Sequence, residues 1–179
     1  LNSFNQTKFL NLNVVEKTLE QDLMKACGSE VVVNLYNLEA EKSDFNIINK
    51  MSGICLDDLD IECLEYELNS DFLKSDKTKV VSECLYTNLL KSNCLVTGQP
   101  DWASIQIKYN GPKINHEGLL QYIVSYRNHL GFHEDCVESI YTDMLRICQP
   151  KDLLVEARYT RRGGLDINPV RYSTGLSDS

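Results

Sequence analysis

Cys94 and Asp101 lie seven residues apart in SNCLVTGQPDW, residues 92–102, a polar stretch punctuated by Gly98 and Pro100. Such a stretch can fold back and bring a thiol and a carboxyl into one pocket. A nucleophilic cysteine needs thiolate character and access to its target, and a polar loop offers access that a strand interior does not. The plainer alternative keeps Cys94 as a small buried apolar side chain, as unpaired cysteines usually are. GFHEDC, residues 131–136, sets His133, Glu134 and Asp135 at the opening of a helix, where carboxylates meet exposed N–H groups and the helix dipole. Capping accounts for Asp135 in full. It does not explain His133 and Glu134 together, and a carboxylate can accept two hydrogen bonds from the N–C–N edge of an aminopyrimidine ring. YTRRGGLDIN, residues 159–168, joins Arg161 and Arg162 to Gly163 and Gly164. Guanidinium forks and unhindered backbone N–H groups suit a phosphate, with a basic hairpin turn as the ordinary alternative.

Cys27, Cys63, Cys84, Cys136 and Cys148 sit on helix or strand patterns and read as structural, while Cys55 is open. Asp57, Asp58 and Asp60 resemble the start of a calcium loop, but the glycine and closing glutamate are out of register, so a solvated acidic face is expected. No cysteine pairs with another, or with His116, His129 or His133, at zinc-site spacing, and no metal is expected. Neither a Walker loop nor a G-x-G-x-x-G fingerprint is present.

The elements that must hold these segments follow from periodicity. Val15, Leu19, Leu23 and Ala26 form one face of a helix over residues 13–26, stopped by Gly28. EVVVNLYNL, residues 30–38, reads as a strand from its β-branched run, followed by a polar connection over 39–50. Residues 79–86 are strand-like, and 103–109 alternate Ile105, Ile107 and Tyr109 with Ser104, Gln106 and Lys108, the pattern of a half-buried strand. Helices are expected over 117–130 and 134–148, the second stopped by Pro150. A strand at 153–160 then turns at Gly163 and Gly164 into an antiparallel partner at 165–172. From residue 79 the order is strand, strand, helix, helix, strand, strand. Sliding the chain by 122 residues sets Val15 on Val137, Glu16 on Glu138, Leu23 on Leu145 and Val33 on Val155, an echo that reads as two copies of one module. The expected division is residues 1–50 as the remainder of a first module, 51–78 as an acidic connection, and 79–179 as the second module.

Composition sets the outer bounds. The chain has 179 residues, 42% of them hydrophobic, so it has a core to bury. A net charge of −8 argues against a sequence-independent grip on nucleic acid. Eight acids against Lys74 over residues 57–76 concentrate that charge. No apolar run reaches the length of a membrane span and no signal segment opens the chain, so a soluble, unexported protein is expected. Seven cysteines without a CxxC pair point to free thiols in a reducing cytoplasm.

Taken together, SNCLVTGQPDW, SYRNHLGFHEDC and YTRRGGLDINP resemble the NADPH-dependent nitrile reductases of queuosine biosynthesis, the 7-cyano-7-deazaguanine reductases, in their two-module form. The resemblance runs from Leu1 to about Tyr172. It implies an α+β tunnelling fold (T-fold), antiparallel sheets backed by helices, with sites at module interfaces. It implies Cys94 as the nucleophile that forms a covalent thioimide on the nitrile carbon, and Asp101 as the acid that protonates the nitrile nitrogen. His133 and Glu134 correspond to substrate-binding residues, Arg162 and Gly163 to NADPH-contacting positions, with Arg161 as a helper. The implied reaction reduces 7-cyano-7-deazaguanine to 7-aminomethyl-7-deazaguanine with two NADPH. A protonated thioimide presents a carbon that a hydride can reduce where a nitrile does not, which is why thiolate and acid must converge. The family's Glu-Ser-Lys-Ser motif, part of its cofactor site, belongs just ahead of LNSFNQT and is not replaced at HEGLLQY, so poor turnover is expected of this piece alone. The substrate is a free base rather than tRNA, and a homodimer is the expected assembly, since exposed strand edges favour pairing. Two other readings stand beside this one: a cyclohydrolase-like enzyme of pterins or purines, and a non-catalytic ligand-binding or assembly module of the same fold.

Overall fold

Alternation along the third strand puts Asp101, Ala103, Ile105, Ile107 and Tyr109 on one face, and none of the five is more than 5% exposed. The structure is a computed structural model that describes residues 4, 7–35 and 51–173. They fall into two units, Leu1–Lys50 and Met51–Ser179.

In the first unit, α1 (Leu12–Cys27) begins where the Asn11 side chain accepts from the Val14 N–H and ends at Gly28, left-handed at φ 67°. The expected strand at 30–38 is not found over the described residues 30–35. The Val33 and Leu35 amides donate instead to the carboxylates of Glu20 and Glu16 on α1, which take the hydrogen bonds that a neighbouring strand would have taken. Residues 36–38 of that expectation, and the connection at 39–50, lie outside the described residues.

The second unit is α+β. Its elements are β1 (Ile54–Cys55), β2 (Ser75–Asn93), β3 (Pro100–Ile114), α2 (His116–Val124), α3 (His133–Cys148), β4 (Asp152–Tyr159) and β5 (Val170–Tyr172). The strands form one sheet in chain order; β1 runs parallel to β2 and the other pairs are antiparallel. Leu119, Ile123, Val137, Ile140 and Met144 of the helices share a core with Ile105, Ile107, Val155 and Ala157 of the sheet, and Leu56 and Leu73 from the acidic segment join it. Among the described residues no helix is long and apolar enough to cross a membrane. The helix expected over 117–130 stops at Val124 and tightens into a 3-10 turn, Ser125–Asn128, as the Ser125 hydroxyl donates back to the Tyr122 carbonyl.

Both central strands outrun their sequence patterns, and the long loop at 92–102 shrinks to a turn between Asn93 and Pro100. The register of β2 on β3 slips by one residue between Thr87 and Leu90, a β-bulge. Asp57 holds it: its carboxylate accepts from the Thr87 hydroxyl and from both the backbone and side-chain amides of Asn88. Without the extra residue Lys91 would face Asp101; with it, Ser92 does.

Gly53 makes the tightest approach to this strand pair. It sits at φ 117°, and a Cβ there would lie 2.1 Å from the Cys84 carbonyl oxygen. Gly53→Ala is expected to lower unfolding stability by about 2–4 kcal/mol, combining strain with overpacking against backbone. A denaturation midpoint equal to the parent's would contradict that account.

Candidate active site

Cys94 opens the turn that replaces the long loop. Its backbone N–H donates to the Gln99 carbonyl at 2.8 Å and its carbonyl accepts from the Gly98 N–H at 2.9 Å, with Gly98 left-handed at φ 65°. This closure turns the Thr97 hydroxyl and the Thr97 and Val96 amides toward the half-buried sulfur. Those three hydrogen bonds, the Thr97 hydroxyl's the largest, outweigh partial burial and, with the Arg162 guanidinium nearby, draw the thiol down to about 7. Alkylation of Cys94 by iodoacetamide is therefore expected to speed up as pH rises through about 7 and level off above it, since only the thiolate reacts. In Thr97→Val the midpoint moves up toward the ordinary thiol range and the rate at neutral pH falls several-fold, with Thr97→Ser restoring both. A midpoint that stays in place in Thr97→Val would assign the effect to the amides and Arg162 instead.

Asp101 continues the core face of β3 past Ala103, so a carboxylate stands where the pattern would place an apolar residue; it is 2% exposed. Such a group needs charged or hydrogen-bonding partners. Two arrive from distant elements. The β3–β4 ladder extends by the Thr160 N–H to the Trp102 carbonyl. The chain then makes a tight turn in which Arg162 and Leu165 bond each other across Gly163 and Gly164, at φ 56° and 80°. That turn delivers Arg162: its Nε donates to Asp101 Oδ1 at 2.5 Å, and its two terminal nitrogens donate to the Gln99 side-chain oxygen at 3.2 Å and the Gln99 carbonyl at 3.4 Å. One guanidinium thus joins the carboxylate to the residue that closes the Cys94 turn, beside the sulfur.

His133 is the second partner, at the first residue of α3, with Nε2 3.3 Å from Asp101 Oδ1. Its ring lies flat on Tyr159 of β4, centroids 3.8 Å apart and 1° from parallel. Nδ1 of His133 is buried with no hydrogen-bond partner among the described residues. Glu134 follows in the first turn of α3 and is exposed, and no side chain caps that helix.

Cys94, Asp101, His133 and Arg162 therefore meet at one end of the sheet, with Glu134 one residue away. Arg161 does not join them: it bonds Asp166 at 2.9 Å on the far side of its turn, and Gly163 stands at the open tip. The family resemblance assigns Arg162 to the cofactor, and in this structure its guanidinium bonds Asp101; the sequence reading named no role for Thr97, Gln99, Ser92 or Tyr159. Alternation along β4, with Leu153, Val155 and Ala157 buried, did carry a signal that Tyr159 faces the same side.

The family model described as QueF-like protein matches residues 100–176. Proteins named NADPH-dependent 7-cyano-7-deazaguanine reductase from Legionella pneumophila strains Lens and Corby are 56% and 54% identical over 170 residues, covering 95% of this chain and 59% of each relative. One of the same name from Hydrogenovibrio crunogenus is 53% identical over 171 residues, 96% of this chain and 61% of the relative. The chain spans about three fifths of the length of these curated relatives. A solved structure of apo archaeosine synthase QueF-Like aligns with 58% of the chain at 19% identity and a TM-score of 0.47.

Proposed function

We propose that this chain, which is similar over 95% of its own length to a protein named NADPH-dependent 7-cyano-7-deazaguanine reductase, carries the nitrile-activating site of such an enzyme on a T-fold module of queuosine biosynthesis. The carrying observation is a thiol drawn down to about 7 beside a guanidinium that also bonds a buried carboxylate.

The residues divide the work as follows. Glu134 accepts two hydrogen bonds from the N–C–N edge of the deazaguanine, and His133 offers its buried Nδ1 to the same ligand. The Cys94 sulfur adds to the nitrile carbon: the C–S bond forms, one C≡N π bond breaks, and the nitrogen takes a proton, giving a thioimide. Asp101 is paired with Arg162, so its carboxylate receives the thiol proton first and then passes it to that nitrogen. His133, stacked on Tyr159, keeps the carboxylate oriented.

Reduction from nitrile to aminomethyl takes two hydrides and two protons, and NADPH supplies the hydrides when bound. The turn at Gly163 and Gly164 fits a phosphate: both glycines have open space where a side chain would be, and the neighbouring Arg161 side chain is 63% exposed. Arg161 and the Gly163 amide would hold the cofactor there, with Arg162 reaching it only by leaving Asp101.

Free thiols suit a reducing, cytoplasmic setting. A homodimer suits the sheet, since among the described residues β1 covers β2 only at Leu85 and Tyr86, and Leu95, Val96, Phe132 and Leu165 are exposed around the site. Incubation of the chain with 7-cyano-7-deazaguanine and no cofactor tests the proposal by intact mass. The expected product gains the full mass of the nitrile, mapped to Cys94. Reversible binding without an adduct would make this a binding module; an adduct on another cysteine would refute the site.

A further inference from the structure

Among the described residues Lys91 is the one buried ammonium, and this reaction has no use for it. It is 6% exposed, and no carboxylate among the described residues pairs with it; its Nζ donates to two neutral oxygens, Asn93 Oδ1 at 2.8 Å and the Arg127 carbonyl at 2.7 Å. A buried cation held only by neutral acceptors is an expensive way to fill space, and burial together with the Arg127 guanidinium pushes Lys91 down.

Its partners explain the placement. Asn93 ends β2 and immediately precedes Cys94. Its side-chain amide also reaches the Arg127 carbonyl at 3.0 Å and the His129 carbonyl at 3.4 Å. Its backbone N–H donates to the His129 carbonyl at 2.9 Å, and its own carbonyl accepts from the Gly131 N–H at 3.1 Å. Residues 127–131 thereby run beside the end of β2, Leu130 bridged in parallel to Asn93, and lead directly into His133 and Glu134. The bulge held by Asp57 is what turns Lys91, rather than Ser92, away from Asp101 and toward this strap.

We infer that Lys91 is a positioning residue: by fastening residues 127–131 to the end of β2, it sets the separation between the Cys94 sulfur and the substrate-reading pair His133 and Glu134. The inference rests on the nitrile-reductase reading of those three residues. A misplacement of about an ångström between nucleophile and bound substrate costs one to two orders of magnitude in productive encounter. Nothing in the strap touches the hydrogen bonds that draw the Cys94 thiol down, so the thiol's own reactivity is independent of it.

The test uses the full chain and two variants, Lys91→Met and Lys91→Arg. In Lys91→Met the nitrile concentration giving half-maximal thioimide formation should rise about tenfold. The pH midpoint of Cys94 alkylation should stay at the parent's value, and Lys91→Arg, which can still donate to the Arg127 carbonyl, should recover most of the loss. An unchanged half-saturation overturns the inference. So does a loss matched by a shifted alkylation midpoint, which means general loosening. Amide hydrogen exchange gives a reading that needs no substrate: faster exchange over residues 129–134 in Lys91→Met supports the strap, and unchanged exchange overturns it. Should the parent chain form no adduct at all, the functional reading falls, and exchange still decides the role of Lys91.

Discussion

Replacing Cys94 by alanine is expected to abolish the covalent adduct with 7-cyano-7-deazaguanine outright, while reversible binding of the nitrile persists. The expectation is absolute because no other thiol can take its place. Cys136 and Cys148 are fully buried, and burial pushes both thiols up, Cys148 to about 11. Burial likewise raises Cys63 despite the nearby Arg127 guanidinium. Cys84 bonds the Ser52 carbonyl beside β2, Cys55 lies on β1 opposite Tyr86 of β2, and Cys27 lies on α1 in the other unit. None of the three raised thiols, Cys63, Cys136 and Cys148, is drawn down by Arg162 or the Thr97 hydroxyl as Cys94 is, and the Asp101 carboxylate near Cys136 raises that thiol further. Binding should survive because Glu134 and His133 belong to α3 and not to the Cys94 turn. Intact-mass measurement at saturating nitrile checks the first half and equilibrium dialysis the second; an adduct of full stoichiometry in Cys94→Ala would end the thioimide proposal.

Asp101→Asn is expected to slow thioimide formation by about 10²–10⁴-fold while leaving iodoacetamide alkylation of Cys94 almost unchanged. Asparagine keeps the shape and can still accept from Arg162 Nε, so the buried position stays filled and bonded. What it cannot do is accept the thiol proton and return it to the nitrile nitrogen. Alkylation needs only the thiolate, which rests on Thr97, Val96 and Arg162. The two measurements therefore separate proton transfer from thiolate formation. If both rates fell together, Asp101 would be acting by holding Arg162 beside the sulfur; if neither fell, it would have no part in the chemistry.

Much of this arrangement is legible in the sequence. Alternation from Ala103 to Tyr109 marked β3 and its buried face, and continuing it two residues back puts Asp101 on that face. The helix expected over 134–148 is α3, starting one residue earlier, so His133 is its first residue. The paired glycines at 163 and 164 do form the turn that joins β4 to its partner segment. Less was readable where an element depends on a neighbour. Residues 30–35 have the composition of a strand, but their amides are taken by carboxylates of α1. The acidic stretch read as a solvated face, yet Asp57 clamps the β2 bulge and Leu56 and Leu73 enter the core.

By itself the amino-acid order determined the central strands and the two helices of the second unit, which side of each faces inward, and that a thiol and a carboxyl share one hairpin end, because those properties depend on neighbours within a few residues. Only the folded chain decided that Arg162 closes onto Asp101 across 61 residues of sequence, that His133 rests on Tyr159, and that Lys91 ties the end of β2 to the segment leading into α3. Those contacts follow from strand register and a single inserted residue at Thr87 to Leu90, and a shift of one position in register exchanges the two faces of a strand without altering its local pattern.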